Sequence, residues 1–362
     1  MTRSVTIQLA LFCIICFSGI CQVKQESPLP FRDKDLVYFD YHSKTIDEDY
    51  TIYIHFPPGY DTTKTAYPVL YLTDGDWNMT VAMNCFNMLR QDYPTREALL
   101  VGIGYGSRSN KRNRDLNPAD GGPKFLSFIK DEVIPFVNSR YRVTKEKGLY
   151  GYSYGGIFTT YVLFHEANLF DQIYIGAPGN NGSLLVPSAR TYFSKNTTLK
   201  TKIFAGVGSF ETENVKNIGL FKNYLDSNKK AGLQIFTAVA PNAGHGAALA
   251  QVMQSGIKYV YCLTHQSIAT PPPGALKKYE GTYGTDDAKS KAIHVFIENG
   301  ELYFREGGGN ALHLIPFEKD GFFMVENEGL SFRFTTENGR QYFVVDFPAE
   351  KDIRLPKTKL LP

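Results

Sequence analysis

Six residues, Gly151-Tyr152-Ser153-Tyr154-Gly155-Gly156, set one hydroxyl between glycines at the spacing Gly-x-Ser-x-Gly. That spacing suits a strand that turns abruptly into a helix and presents the serine on a strained, exposed corner, where side chains on the flanking positions would strike neighbouring backbone. Ser153 is therefore the candidate nucleophile, and a serine hydroxyl needs a base to take its proton. The flanks fit such a turn. Leu149-Tyr150 closes an apolar strand, and the run Ile157 to Phe164 is apolar on nearly every side, as a helix buried beneath a sheet would be. The alternative is a glycine-rich turn whose serine caps the following helix.

On a parallel sheet the nucleophile is followed in the chain by an acid and then a histidine, both on loops at the carboxyl ends of later strands. The apolar run 202–208 predicts one such strand, and Ser209-Phe210-Glu211-Thr212-Glu213 follows it, so Glu211 or Glu213 can occupy the strand end. The alternating stretch 233–239 predicts the next strand. It leads into Pro241-Asn242-Ala243-Gly244-His245-Gly246, a loop of small residues around His245, ahead of a helix-like segment from Ala247 to Met253. The other six histidines fit structural positions and none lies at metal-ligand spacing, so neither a metal nor a cofactor is expected.

Acyl transfer through a tetrahedral intermediate also needs donors for the oxyanion, and two backbone amides there lower the barrier by roughly 3 to 4 kcal/mol. One belongs to Tyr154, the residue after the nucleophile. The predicted strand Tyr67 to Leu72 runs into Thr73-Asp74-Gly75-Asp76-Trp77, read as a tight turn whose glycine lets the backbone face the site. The second donor is placed at Asp76, with Trp77 as its neighbour.

Four blocks between about Tyr67 and Leu263 carry a family resemblance. They are Tyr71 to Trp77; Val101-Gly102-Ile103-Gly104-Tyr105 followed by Arg114-Asp115-Leu116-Asn117-Pro118; Phe125 to Tyr141 leading to the Ser153 motif; and Gly244-His245-Gly246. The chain resembles the esterase family of α/β-hydrolases that groups enterochelin and other siderophore esterases with feruloyl and acetyl xylan esterases and with mycolyltransferases. The resemblance implies an α/β fold with a mostly parallel central sheet, Ser153 as nucleophile, His245 as base, and Glu211, three residues after Gly208, as acid. Trp77, Asn180 and the pair Arg114 and Asp115, read as a buried pair shaping the loop under the site, are candidate substrate contacts. Where the family usually has a Ser-Pro-Ser segment with tryptophans, this chain has Gly176-Ala177-Pro178-Gly179-Asn180-Asn181, a departure that bears on substrate choice rather than on chemistry.

A formal charge of +3 over 362 residues is too small and too dispersed to suggest a nucleic-acid partner, so none is expected, and 43% hydrophobic with 21% charged residues is ordinary globular composition. The aromatic share is high, with 23 tyrosines and 26 phenylalanines, which predicts many packed strand positions. Arg3, the apolar run Ile7 to Phe17 and the small residues after it have the make-up of an export signal over residues 1–21, cleaved near Cys21, with lipid anchoring at Cys21 as the alternative. Export implies a periplasmic or secreted protein without a membrane span. Of the five cysteines only Cys85 and Cys262 lie beyond that segment, and both are expected to be buried free thiols.

The proline run at 271–273 marks a linker, assigned to 269–275, after a hydrolase domain at 22–268. Beyond it, short alternating runs separated by turns such as Glu298-Asn299-Gly300 and Glu337-Asn338-Gly339 predict a small antiparallel barrel or sandwich over 276–350, with 351–362 as a tail. A packing or lid role and ligand binding by its aromatic face are both open to this domain. The sequence as a whole predicts an exported serine esterase that works through an acyl-enzyme on a small-molecule or carbohydrate-linked ester, such as a siderophore lactone or a feruloyl or acetyl sugar ester. Transfer of the acyl group to an alcohol, and ligand binding without catalysis, are the alternatives.

Overall fold

The computed structural model describes residues 34–93, 95–228, 232–262, 271, 272, 274–284, 292–324, 327–346 and 352–358. The expected export signal, Cys21 and residues 269, 270 and 273 of the expected linker lie outside these residues.

Eight strands form the first sheet: β1 (Leu36–Ser43), β2 (Glu48–His55), β3 (Tyr67–Leu72), β4 (Leu99–Gly104), β5 (Val143–Tyr152), β6 (Gln172–Gly176), β7 (Lys202–Gly208) and β8 (Gln234–Ala240). Their order is β1-β2-β4-β3-β5-β6-β7-β8, with β2 antiparallel to both β1 and β4 and every pairing from β4 to β8 parallel. The helices are α1 (Gly75–Asp92), α2 (Arg112–Asp115), α3 (Gly122–Phe128), α4 (Ile134–Arg140), α5 (Tyr154–His165), α6 (Leu185–Phe193), α7 (Thr212–Ser227) and α8 (Leu249–Tyr261). Every residue of β3, β4 and β6 is buried, because helices cover both faces of the parallel part, and this is why those strands read as continuous apolar runs instead of alternating ones. Helix α5 packs on β5 and β6, and α8 on β7.

The turn expected at Thr73 to Trp77 is instead the start of a helix. Asp74 takes a left-handed conformation (φ 53°, ψ 45°) at the amino-terminal cap, and α1 begins at Gly75. Cys85 and Cys262 are buried free thiols, and burial pushes the Cys85 thiol up to about 12, which leaves it unreactive.

The second sheet is a meander of β9 (Gly281–Tyr283), β10 (Ile293–Glu298), β11 (Glu301–Glu306), β12 (Leu312–Glu318), β13 (Gly321–Met324), β14 (Asn327–Glu337), β15 (Arg340–Asp346) and β16 (Ile353–Pro356), each antiparallel to the next. Asn299-Gly300 and Asn338-Gly339 all have positive φ, the conformation of two-residue hairpin turns whose twist matches that of the strands they join. The segment read from sequence as a tail supplies β16, and this strand nearly closes the sheet. Gly284 N–H donates to the Pro356 carbonyl (2.9 Å) and Thr358 N–H to the Thr282 carbonyl (2.8 Å), so the architecture is a barrel and not a sandwich. Its interior is filled by rings, Tyr279, Tyr283, Phe304, Phe332, Phe334 and Phe343 among them.

From Asp35 onward the described residues form one compact body with two separate hydrophobic cores, one per sheet, and α1 and β14 approach each other between them. Among the described residues no helix is long and apolar enough to cross a membrane.

Candidate active site

The carboxyl ends of the parallel strands collect the candidate residues on one side of the sheet, where α/β folds open a crevice. Strand β5 ends at Tyr152, and Ser153 then adopts φ 60°, ψ −118°, outside the regions an ordinary side chain prefers. The glycines make this corner possible. A Cβ on Gly151 would lie 2.1 Å from the Gly155 carbonyl oxygen, and one on Gly156 would lie 2.3 Å from that of Gly176. Ser153 N–H donates to Gly176 O (2.9 Å), fixing the corner to the end of β6. Its side chain makes no capping hydrogen bond to α5, so the helix does not use the hydroxyl.

After β7, the Gly208 amide donates to Glu211 Oε2 (3.1 Å), while Glu211 Oε1 lies 2.7 Å from His245 Nδ1. Glu211 is 12% exposed and His245 46%, so the carboxylate sits beneath an accessible imidazole. Glu213 is in the exposed first turn of α7. The bond between Glu211 and Nδ1 fixes the tautomer with Nε2 unprotonated, the form able to act as a base. Beyond β8 the His245 loop is tied back to the nucleophile strand by Tyr152, whose hydroxyl donates to the His245 carbonyl (2.5 Å) and whose ring lies 5.3 Å from the imidazole.

Tyr154 and Asp76 are the first residue of α5 and the second of α1, positions whose amides have no acceptor within their helices. The Asp76 carboxylate is engaged elsewhere. Its Oδ1 accepts from Tyr53 Oη and Gly106 N–H and its Oδ2 from Tyr105 N–H, all at 2.8 Å, which fixes the loop after β4 against α1. Trp77 and Tyr154 are 40% and 39% exposed beside this corner. Arg114 pairs with Asp115 (2.7 Å) and Glu48 (2.9 Å), and the buried Asp115 also accepts from Tyr50 (2.8 Å) and Tyr105 (3.1 Å), so these charges are used within the fold. Asn180 lies in the 3₁₀ turn Gly179–Leu184, and its side chain is outside the described residues.

Sequence reasoning passed over Arg112. Its guanidinium clamps the buried Asp74 carboxylate through two bonds (Nε to Oδ1 2.7 Å, Nη2 to Oδ2 2.9 Å) and lies 5.5 Å from the Trp77 ring centre and 5.3 Å from that of Tyr154. It thereby laces together the starts of α1 and α5. Burial outweighs this pairing at Asp74 and holds its carboxyl above the usual carboxylate range. The only signal in the sequence was the basic run Lys111-Arg112-Asn113-Arg114, which does not say which arginine turns inward.

A cleft of about 410 Å³ opens at Ser153, lined also by Asn117, Tyr154, Ile157, Pro178, Gly179 and Asn181. Among the described residues no group of three or more His, Cys, Asp or Glu is placed to hold a metal ion.

Residues 43–209 match the sequence model of the family described as "Putative esterase", a match that ends before Glu211 and His245. The siderophore triacetylfusarinine C esterase of Aspergillus fumigatus is 25% identical over 171 residues, 42% of this chain and 58% of that protein. The ferri-bacillibactin esterase BesA of Bacillus subtilis is 27% identical over 161 residues, 38% of this chain and 55% of that protein. The chain thus matches little more than half the length of these relatives. Among solved structures, an IroE-like serine hydrolase from Shewanella oneidensis superposes with a TM-score of 0.55 at 20% identity, covering 62% of this chain and 80% of that one. The siderophore hydrolase EstB from Aspergillus nidulans superposes equally well, with a TM-score of 0.55 at 20% identity over 62% of this chain and 95% of that one. These likenesses establish the α/β-hydrolase fold.

Proposed function

We propose, from the match of residues 43–209 to the "Putative esterase" model, that this chain is a serine ester hydrolase with Ser153, His245 and Glu211 as its catalytic unit. The observation that carries the proposal is the combination of Ser153 at φ 60°, its hydroxyl unused by α5, with an imidazole held through Nδ1 by a carboxylate at 2.7 Å. In this mechanism Ser153 Oγ attacks the ester carbonyl as His245 Nε2 takes its proton. The oxyanion is held by the amides of Tyr154 and Asp76, and Glu211 stabilises the imidazolium. Collapse breaks the bond to the alcohol, which leaves with the proton from His245. Water then attacks the acyl-serine with His245 again as base and releases the acid.

The names of the relatives make siderophore esters the first substrate class to examine. The composition of residues 1–21 supports export. Hydrolysis of p-nitrophenyl acetate by the wild-type protein, with a loss of at least about 10⁴-fold in kcat in Ser153→Ala, is the expected result. Retention of a tenth or more of the activity in that variant would overturn the proposal.

A further inference from the structure

The cleft at Ser153 continues into a larger groove. About 630 Å³ of space lies between α5 and α6, and it shares Asn117, Ile157 and Asn181 with the cleft beside the nucleophile. One wall is a single face of α5, with Ile157, Tyr161 and Phe164, and the other is a face of α6 and the turn before it, with Leu184, Pro187 and Tyr192. The α5 set, at intervals of four and three residues, follows the spacing of residues that share one side of a helix. The walls meet where the Phe164 and Tyr192 rings approach to 5.8 Å, and His165 stacks on Tyr161 at 4.6 Å.

Most of the groove's exposed surface is apolar, with polar side chains such as Asn117, Asn181 and Ser188 between the apolar ones, and it is open to water, for Leu184 is 52% exposed on its rim. The Thr160 hydroxyl within it is already donated to the Gly156 carbonyl (2.8 Å), so the wall there offers no spare donor to a polar ligand. A contiguous exposed apolar surface that begins at a nucleophile marks a place for apolar substrate rather than for bulk solvent. From Ile157 to His165 the wall runs about 12 Å at the helical rise, the reach of an extended chain of roughly eight to ten carbons. Lys195 and Asn196 line the groove beyond that face.

We infer that this groove holds an apolar arm of the ester, a medium-length hydrocarbon chain or its aryl-ended equivalent, while Ser153 attacks the carbonyl. The inference rests on the hydrolase reading above and adds the substrate class to it. Two small residues on α6 grade the test. Ser188 lies midway along the groove and Thr191 one turn farther from the nucleophile.

The experiment is a chain-length series, p-nitrophenyl acetate to dodecanoate for an acyl arm and ethyl to decyl acetate for an alcohol arm. It is run on the wild type, Ser188→Trp and Thr191→Trp, with circular dichroism to establish that each variant is folded. In one of the two series, wild-type kcat/KM should rise at least about tenfold from the shortest member to the eight-carbon member, since each buried methylene is worth up to about fourfold. Ser188→Trp should cut that long-to-short ratio about tenfold or more, and Thr191→Trp should move the optimum to shorter chains. A flat response in both series, or a length optimum unmoved by either tryptophan, overturns the inference. Either outcome is separate from failure of the hydrolase reading, which would appear as acetate hydrolysis that survives Ser153→Ala.

Discussion

Tyr152 and His245 are joined across 93 residues of chain by a hydrogen bond from the tyrosine hydroxyl to the histidine backbone carbonyl, 2.5 Å long. The residue before Ser153, the proposed nucleophile, therefore holds the loop that carries His245, the proposed base. Burial and the nearby Glu211 charge push the Tyr152 phenol well above its ordinary range, so it stays protonated and a donor at neutral pH. Tyr152→Phe keeps the ring contact and removes only the tether. We expect kcat to fall about tenfold to 100-fold with KM little changed, because small misplacement of a catalytic group costs this much. Steady-state kinetics on a short ester measure it, and an unchanged kcat would show that the loop holds His245 without help.

Ser153 stores backbone strain at φ 60°, ψ −118°. Replacing it with glycine should raise stability by about 1 kcal/mol in urea unfolding while abolishing activity, since strain of this kind costs on the order of 1–3 kcal/mol. Ser153→Ala removes the same hydroxyl without relieving the backbone and should show no such gain.

The acid assignment separates two neighbours. Glu211→Gln should lower kcat about 10²-fold to 10⁴-fold, the range for loss of a triad carboxylate. Glu213→Gln, in the exposed first turn of α7, should leave it within about twofold, as surface changes usually do. The reverse ranking would move the acid to Glu213.

Arg112→Ala would leave the Asp74 carboxylate buried without its partner, a loss expected to cost about 3–5 kcal/mol of stability. The pH dependence has a definite sign. Asp74 already has a raised folded pKa, and removing the guanidinium raises it further. Stability tied to a raised carboxyl pKa is present at low pH, where the group is protonated in both states, and is lost as pH rises through the folded value. The deficit of Arg112→Ala should therefore be larger at pH 8 than at pH 5, measured by denaturant unfolding at both. A deficit independent of pH would mean that Asp74 is not the group left uncompensated.

The two hydrophobic cores are distinct, and every proposed catalytic group precedes the proline run. A chain ended at Ala269 is expected to fold and to hydrolyse p-nitrophenyl acetate, with lower thermal stability because α1 loses its contact with β14. If the shortened protein is insoluble or inactive on that ester, the barrel is part of what holds the hydrolase together.

The strained corner at Ser153 was legible because its requirements are local. Close approach of backbone at Gly151 and Gly156 forbids any side chain there, and that prohibition is written directly as glycine. The hairpin turns at Asn299-Gly300 and Asn338-Gly339 were legible for the same reason, since positive φ selects those residues within two positions of each other. The buried strands of the parallel sheet showed as apolar runs because helices cover both faces.

What only the tertiary structure decided depends on contacts between distant parts of the chain. Which arginine of the basic run turns toward Asp74, that Tyr152 reaches the His245 carbonyl, and that Glu211 rather than Glu213 stands at 2.7 Å from the imidazole are all set by how loops from separate strands meet. Closure of the barrel by Ile353–Pro356 likewise depends on Thr282 and Gly284, some 70 residues earlier in the chain. A strand edge carries its unpaired donors and acceptors on the backbone, which every residue shares, so its partner leaves no mark in the side-chain pattern.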